Sequence, residues 1–222
     1  MRQLPLGVQL RTAAVFDNFQ AGPNREALAA VRSTARASLW IWGAAATGKS
    51  HLLQAACAQL QHGCAYVALG GKDGIAPEVL EGLEKLALVC IDDPDAVAGF
   101  ASWERALFAL FNAAGESGAR LMFAARAAPA AVSWTLPDWA SRASSCSVYQ
   151  LRVLNDAERM EALRMRANRR GLELPLETAE YLLKRMPRDQ QTLFDLVDTL
   201  DDAALVAQRR LTVPFVRAAL NL

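Results

Sequence analysis

Gly43-Ala44-Ala45-Ala46-Thr47-Gly48-Lys49-Ser50 fits the pattern G-x-x-x-x-G-K-[ST], and its reading decides the fold. The glycines let the backbone wrap closely, so that amide N–H groups point inward at phosphate oxygens. Lys49 supplies a cation for the β and γ phosphates, and Ser50 offers its hydroxyl to Mg2+. A helix that starts here adds the positive end of its dipole. The flanks agree with this reading. Apolar residues from Leu39 to Trp42 run in as a strand. His51 to Leu60, with Leu52, Leu53, Ala56 and Leu60 apolar, runs out as an amphipathic helix.

A second motif lies downstream. Leu88-Val89-Cys90-Ile91-Asp92-Asp93 is an apolar run ending in two acids, the first of them 43 residues after Lys49. Alone, such a pair is no more than a common start to a turn. After a phosphate loop it reads as a Walker B strand. Asp92 is expected to hold Mg2+ through water, and Asp93 to orient or polarise an attacking water.

Five short apolar runs, at 38–42, 65–69, 86–91, 120–125 and 147–151, have the length and two-sided apolarity of buried parallel strands. Helix-like stretches at 49–60, 76–84, 102–116 and 136–142 alternate with them. The alternation predicts an α/β domain on a parallel five-stranded sheet with flanking helices. After residue 151 no strand run follows. Asn155 with Glu158 forms a capping-box start, Met160, Leu163 and Ala167 recur at helical spacing, and Gly171 supplies a stop. Further helices are predicted at 176–186, at about 189–207 with Leu193, Leu196, Val197 and Leu200 on one face, and from Thr212 with Pro214 in its first turn. The chain therefore divides into an α/β nucleotide-binding domain over 13–153 and a small all-helical domain over 154–222.

Composition limits the function classes. The 222 residues are 53% hydrophobic and 21% charged, enough for a sizeable core and against disorder. Lys+Arg 24 against Asp+Glu 23 gives a net charge of +1, unlike a uniformly basic nucleic-acid binder. Four cysteines at 57, 64, 90 and 146 form no C-x-x-C pair, and two histidines leave zinc few ligands. A reduced, cytoplasmic protein is expected, with no membrane span and no signal peptide.

These motifs together resemble the AAA+ P-loop NTPases, and within them the bacterial initiator family DnaA. Phe16-Asp17-Asn18-Phe19 is similar to the initiator's opening box, which approaches the adenine. Gly48-Lys49-Ser50-His51-Leu52-Leu53 is similar to its phosphate loop and helix, and Ile91-Asp92-Asp93, Val97-Ala98-Gly99 and Phe111-Asn112 continue the likeness. The likeness stops where the initiator adds its helix-turn-helix domain, so no direct sequence-specific DNA binding is expected. A DnaA-like chain of this kind resembles the Hda family. The resemblance implies a regulator that, with the DNA-loaded sliding clamp, triggers hydrolysis of ATP bound to the initiator and so restrains replication initiation. It implies ADP or ATP with Mg2+ as cofactors.

Under that resemblance Gln3-Leu4-Pro5-Leu6, within a flexible N-terminal peptide of residues 1–12, looks like a clamp-binding peptide. The physics is plausible for an extended segment. The Gln amide docks in a polar notch, Leu4, Leu6 and Val8 fill an apolar cleft, and Pro5 lowers the entropy lost. The tail Arg209-Arg210-Leu211-Thr212-Val213-Pro214-Phe215-Val216 looks like the end of the family's lid. Ser141-Arg142, closing Leu136-Pro137-Asp138-Trp139-Ala140, matches the arginine finger, a guanidinium that reaches a neighbouring subunit's γ-phosphate. The other reading of Arg142 is a cation favouring a helix C-terminus.

Cofactor contacts are assigned to Phe16, Phe19, Gly43 to Ser50, His51 and Asp92, with Ser50 and Asp92 on the metal. By its own chemistry His51 reads, like His62, as an ordinary histidine. Trp40 and Trp42 read as packing, Trp134 and Trp139 as core or interface. Arg164, Arg166, Arg169 and Arg170 read as a solvated face balanced by Glu158, Glu161 and Glu173 or as a phosphate-binding stripe.

Two positions depart from the family pattern. Phe123-Ala124-Ala125-Arg126 puts Arg126 where a sensor-1 polar residue is expected. Pro187-Arg188-Asp189-Gln190-Gln191-Thr192-Leu193 puts Gln191 where the sensor-2 arginine is expected, with Arg188 one turn earlier. Both departures bear on the chain's own hydrolysis, not on binding. A competing class is a self-assembling ATPase of the helicase-loader or clamp-loader type, and a head-to-tail homo-oligomer is compatible with either reading. A small-molecule kinase fits poorly, because the helical part follows the last strand rather than interrupting the sheet.

Overall fold

The computed structural model describes residues 14–71, 75–185, 197, 199–200, 203 and 211–220. Five parallel strands form one sheet: β1 (Leu39–Gly43), β2 (Cys64–Ala68), β3 (Leu88–Asp92), β4 (Arg120–Ala125) and β5 (Ser147–Leu151), in the spatial order β2-β3-β4-β1-β5. Each parallel pairing needs a crossover, and helices supply the main ones. They are α1 (Arg25–Arg32), α2 (Lys49–Leu60), α3 (Ala101–Ser117) and α4 (Pro137–Ser144). The order places β1 between β4 and β5, with Trp40 opposite Phe123 and Val148.

One sheet face packs α2 and α1 through Leu39, Ile41, Leu52, Leu53, Cys90 and Met122. The other packs α3 and α4 through Trp40, Val89, Ile91, Leu107, Phe123 and Trp139. Trp139 is fully buried, with its ring 5.7 Å from that of Phe123, so of its two readings the core one holds. Trp134 is half-buried, donates its indole N–H to Pro129 O at 3.0 Å and stands edge-on to Trp139.

Two expectations need correction, and one helix was not foreseen. The 76–84 stretch is two 3-10 turns, Pro77–Leu80 and Leu83–Lys85, not a helix. Gly82 between them has φ 79°, which no helix accommodates. The strand at 147–151 is not buried on both faces. It is a sheet edge, with Val148 42% exposed. Helix α1, which the strand-led reading passed over, closes the β5 side. The Arg120 guanidinium at the start of β4 donates to Val31 O (3.1 Å), Ala30 O (2.7 Å) and Ser33 O, satisfying the open carbonyls at the end of α1. Just before α1, the Asn24 side chain donates to Arg152 O (3.0 Å) and accepts from Arg152 N (2.7 Å), extending β5 by one ladder step.

Beyond β5 lie α5 (Asp156–Arg169), α6 (Leu176–Arg185) and α7 (Val213–Ala219). The capping box is present: Glu158 N donates to Asn155 Oδ1 at 2.9 Å, and Asn155 N to Glu158 Oε2 at 2.8 Å. Gly171, at φ 75°, stops α5 with bonds from Gly171 N to Asn168 O and Leu172 N to Ala167 O, both 2.9 Å. Leu163, Ala167, Leu174, Ala179, Leu182, Val197, Leu200, Leu211 and Val216 make a separate core for these helices. The buried Thr178 hydroxyl donates to Leu211 O at 2.9 Å and ties the last segment to α6. The helix expected at about 189–207 lies mostly outside the described residues. No described helix is long and apolar enough to cross a membrane.

Candidate functional site

The loop Ala44–Gly48 leaves the carboxyl end of β1 and turns directly into α2. Gly48 takes φ 91°. A Cβ there would stand 2.7 Å from Phe19 Cε2, and one on Gly43 would run into Leu151 O. Both glycines are therefore required by contact with neighbours. The loop is braced from inside. Thr47 Oγ1 donates to Ala44 O at 3.0 Å, and Lys49 Nζ donates to Gly43 O at 3.0 Å and Ala44 O at 2.8 Å. Lys49 is only 8% exposed. Burial pulls its ammonium below the ordinary lysine range, against the opposing pull of Asp92, Asp93 and Asp95. Ala44, Ala45, Ala46 and Ser50 are exposed, so the outer side of the loop is open.

Asp92 ends β3 next to this lysine and is 3% exposed. Its Oδ2 accepts the Tyr66 hydroxyl at 2.5 Å, and its Oδ1 is buried with no hydrogen-bond partner. Asp93 follows at φ 54°, its N–H bonded to Ala124 O at 2.8 Å and its carboxylate packed against Gly70. Burial, then the charges of Asp92 and Asp95, push the Asp93 carboxyl above the usual range. Arg126, exposed at the end of β4, donates its backbone N–H to Asp95 Oδ2 at 3.3 Å. Its charge acts on both Lys49 and Asp93. The two acids, the lysine and Arg126 thus share one end of the sheet.

The N-terminal box closes another side. Phe16 and Phe19 are buried, and the Arg32 guanidinium lies 5.5 Å over the Phe16 ring. His51 Nε2 is 2.9 Å from Val15 O, and its ring centroid is 6.0 Å from that of Phe19. Burial lowers the His51 imidazole, with the nearby Arg166 charge adding to it. Phe16, Phe19, His51 and the loop therefore come together.

Arg142 stands apart from this cluster. It is exposed in the last turn of α4, whose buried face carries Trp139 and Ala143. Arg164, Arg169 and Arg170 are exposed and Arg166 is half-buried on α5. Gln3, Leu4, Pro5, Leu6, Val8, Arg188, Gln191, Arg209 and Arg210 lie outside the described residues.

Residues 156–220 match the family model described as Hda, lid domain. The chain superposes on domain III of the replication initiation protein DnaA from Thermotoga maritima with a TM-score of 0.76, at 20% identity, covering 96% of this chain and 98% of that one. Over residues 156–220 the chain is thus similar to the Hda lid, and as a whole it has the fold of DnaA domain III. AMPPCP-bound DnaA from Aquifex aeolicus also matches this chain in fold (TM-score 0.73, 20% identity, 89% and 67% covered). RuvB, the Holliday junction branch migration motor of Thermotoga maritima, shares the fold more distantly (TM-score 0.63, 15% identity, 83% and 61% covered).

Sequence reasoning passed over two side chains that the AAA+ fold brings into play. Tyr66, the single phenol in an otherwise apolar strand run, reaches Asp92. Glu104, one of two charged residues in the first turn and a half of α3, is fully buried and accepts three backbone N–H groups, and the burial of that acid is what the sequence could not show.

Proposed function

We propose that this chain binds ADP or ATP at the Gly43–Ser50 loop and, together with the DNA-loaded sliding clamp, promotes hydrolysis of ATP bound to the initiator DnaA. Replication initiation is restrained as a result. The observation that carries this reading is the exposed Arg142 on α4, in a chain whose residues 156–220 match the Hda lid.

The parts divide the work. The loop N–H groups and Lys49 take the phosphates, replacing the carbonyl partners Lys49 holds now. Phe16 and Phe19, with His51 behind them, face the base. Ser50 and Asp92 are the residues that would hold Mg2+, and the bare Asp92 Oδ1 fits that role. When bound, the ion supplies charge neutralisation of the phosphates. Arg142 acts outside its own site, placing a guanidinium on the partner's γ-phosphate. Gln3, Leu4, Pro5 and Leu6 supply the tether to the clamp. Arg126 and Gln191 at the sensor positions favour a bound nucleotide that stays intact, while Asp93 remains the residue that would act on water in any turnover by the chain itself.

The test is turnover of initiator-bound ATP with DNA-loaded clamp present, adding wild type, Arg142→Ala or a chain lacking residues 1–8. Acceleration by wild type alone supports the proposal. If wild type binds nucleotide yet accelerates nothing, and sediments as an ATP-dependent assembly, the loader-type ATPase replaces it.

A further inference from the structure

Tyr66 is not among the residues assigned to the site above, yet its hydroxyl sits at the centre of the metal-facing side. Tyr66 lies on β2 opposite Cys90 in the β2–β3 register, two residues before Asp92. From there its ring runs along the sheet to the strand ends, and the hydroxyl donates to Asp92 Oδ2 at 2.5 Å. Ser50 and Gln54, one turn apart on α2, approach the same phenol. The phenol thus holds one oxygen of Asp92, the carboxylate that a divalent cation would need.

We propose that the Tyr66 hydroxyl stands in for a divalent cation at Asp92, so that the site accepts a nucleoside diphosphate without metal and a cation competes with Tyr66 for the carboxylate. The proposal rests on the nucleotide-binding reading. Its logic is competition for lone pairs. Asp92 offers Oδ1, which has no partner, and Oδ2, which the phenol already occupies. Binding of metal-ordered water across the whole carboxylate requires breaking a short charge-assisted hydrogen bond. A diphosphate that leans on Lys49 and the loop amides alone leaves that bond intact.

The experiment uses the full chain with ADP and Mn2+ as the probe. Electron paramagnetic resonance reads free Mn2+, and ADP affinity is measured separately in EDTA. Tyr66→Phe is expected to bind Mn2+ about tenfold more tightly than wild type, the scale of one lost charge-assisted hydrogen bond, with ADP affinity in EDTA unchanged within about twofold. Unchanged or weaker Mn2+ binding with ADP affinity intact overturns the proposal and leaves Tyr66 as packing. Failure of wild type to bind ADP in EDTA or with metal overturns the nucleotide reading itself. Wild type labelled at the tyrosine Cζ carbons keeps the idea falsifiable should the variant fold poorly. One of the three tyrosine signals is expected to move when Mg2+ is added to the ADP complex, and three unmoved signals count against displacement.

Discussion

Glu104 accepts the backbone N–H of Leu136 at 2.6 Å from a side chain with 0% exposure. Its other oxygen takes Thr135 N at 3.1 Å and Gly99 N at 2.7 Å. Leu136 is the residue from which α4 starts, so a buried carboxylate on α3 fixes the entry of the helix that carries Arg142. Three backbone donors replace the water that the acid gave up on burial.

Replacing this acid tests the arrangement. Glu104→Gln keeps the shape but leaves one acceptor oxygen for three donors, and the expected cost is about 1–3 kcal/mol in urea unfolding. ADP affinity is expected to hold, because Glu104 touches no part of the loop. Stimulation of the initiator's hydrolysis is expected to fall, because α4 loses its anchor. Loss of ADP binding in a folded Glu104→Gln protein contradicts this separation.

Asp93 gives a prediction with a defined pH direction. Its folded carboxyl lies above the ordinary value of 3.8, with burial the main cause. The folded state therefore holds the proton more tightly than the unfolded chain, and ionised Asp93 costs stability. That cost is absent below pH 3.8, grows as pH rises through the folded value, and is complete above it. Asn is at home at φ 54° and carries no charge. Asp93→Asn is expected to raise Tm at pH 8 by an amount that shrinks towards pH 4. A variant that melts below wild type at pH 8 refutes the assignment.

Gly48 is held by two independent constraints, φ 91° and the Phe19 ring. Gly48→Ala is expected to cost about 2 kcal/mol from backbone strain and overlap together. Phe19→Ala removes the overlap but not the strain, so in a Phe19→Ala background Gly48→Ala is expected to cost only part of that stability in urea unfolding. No cost there means the φ constraint was unimportant; the full cost means the ring was.

Thiol chemistry offers a further check. Cys64 is half-buried, and burial with its neighbour Cys57 pushes its thiol up to about 11. Burial puts Cys146 at about 12. At pH 8 alkylation of Cys64 by iodoacetamide is expected to run at least about tenfold slower than that of a free thiol. The rate is expected to climb with pH towards 11, as followed by peptide mass spectrometry. Reaction of Cys64 at the free-thiol rate at pH 8 contradicts this environment.

What the sequence disclosed follows from what kind of information each feature needs. The phosphate loop, Walker B strand and Asn155–Glu158 box are local patterns, and their elements begin and end within two residues of the expected positions. The order β2-β3-β4-β1-β5 depends on pairings between distant segments, which single-strand apolarity cannot report, so β5 was read as buried on both faces. Pro77 and Gly82 are local signals against a helix at 76–84, which the alternation of strand and helix stretches does not take into account. Within the site, the grouping of Phe19 with Gly48 was legible only as a resemblance. Tyr66 and Glu104 were not legible at all. Each acts through a partner 26 or 32 residues away, chosen by the packing of the sheet on α2 and α3.

Asn24 brings a last consequence. A free edge strand offers its open N–H and C=O groups to any passing chain, and such pairing starts fibrous aggregates. At the end of β5 the ladder step at Arg152 is already taken by the Asn24 amide, which donates and accepts as a backbone peptide would. A side chain has no next residue to continue the ladder. The template is therefore terminated at that step by one carboxamide that belongs to no strand.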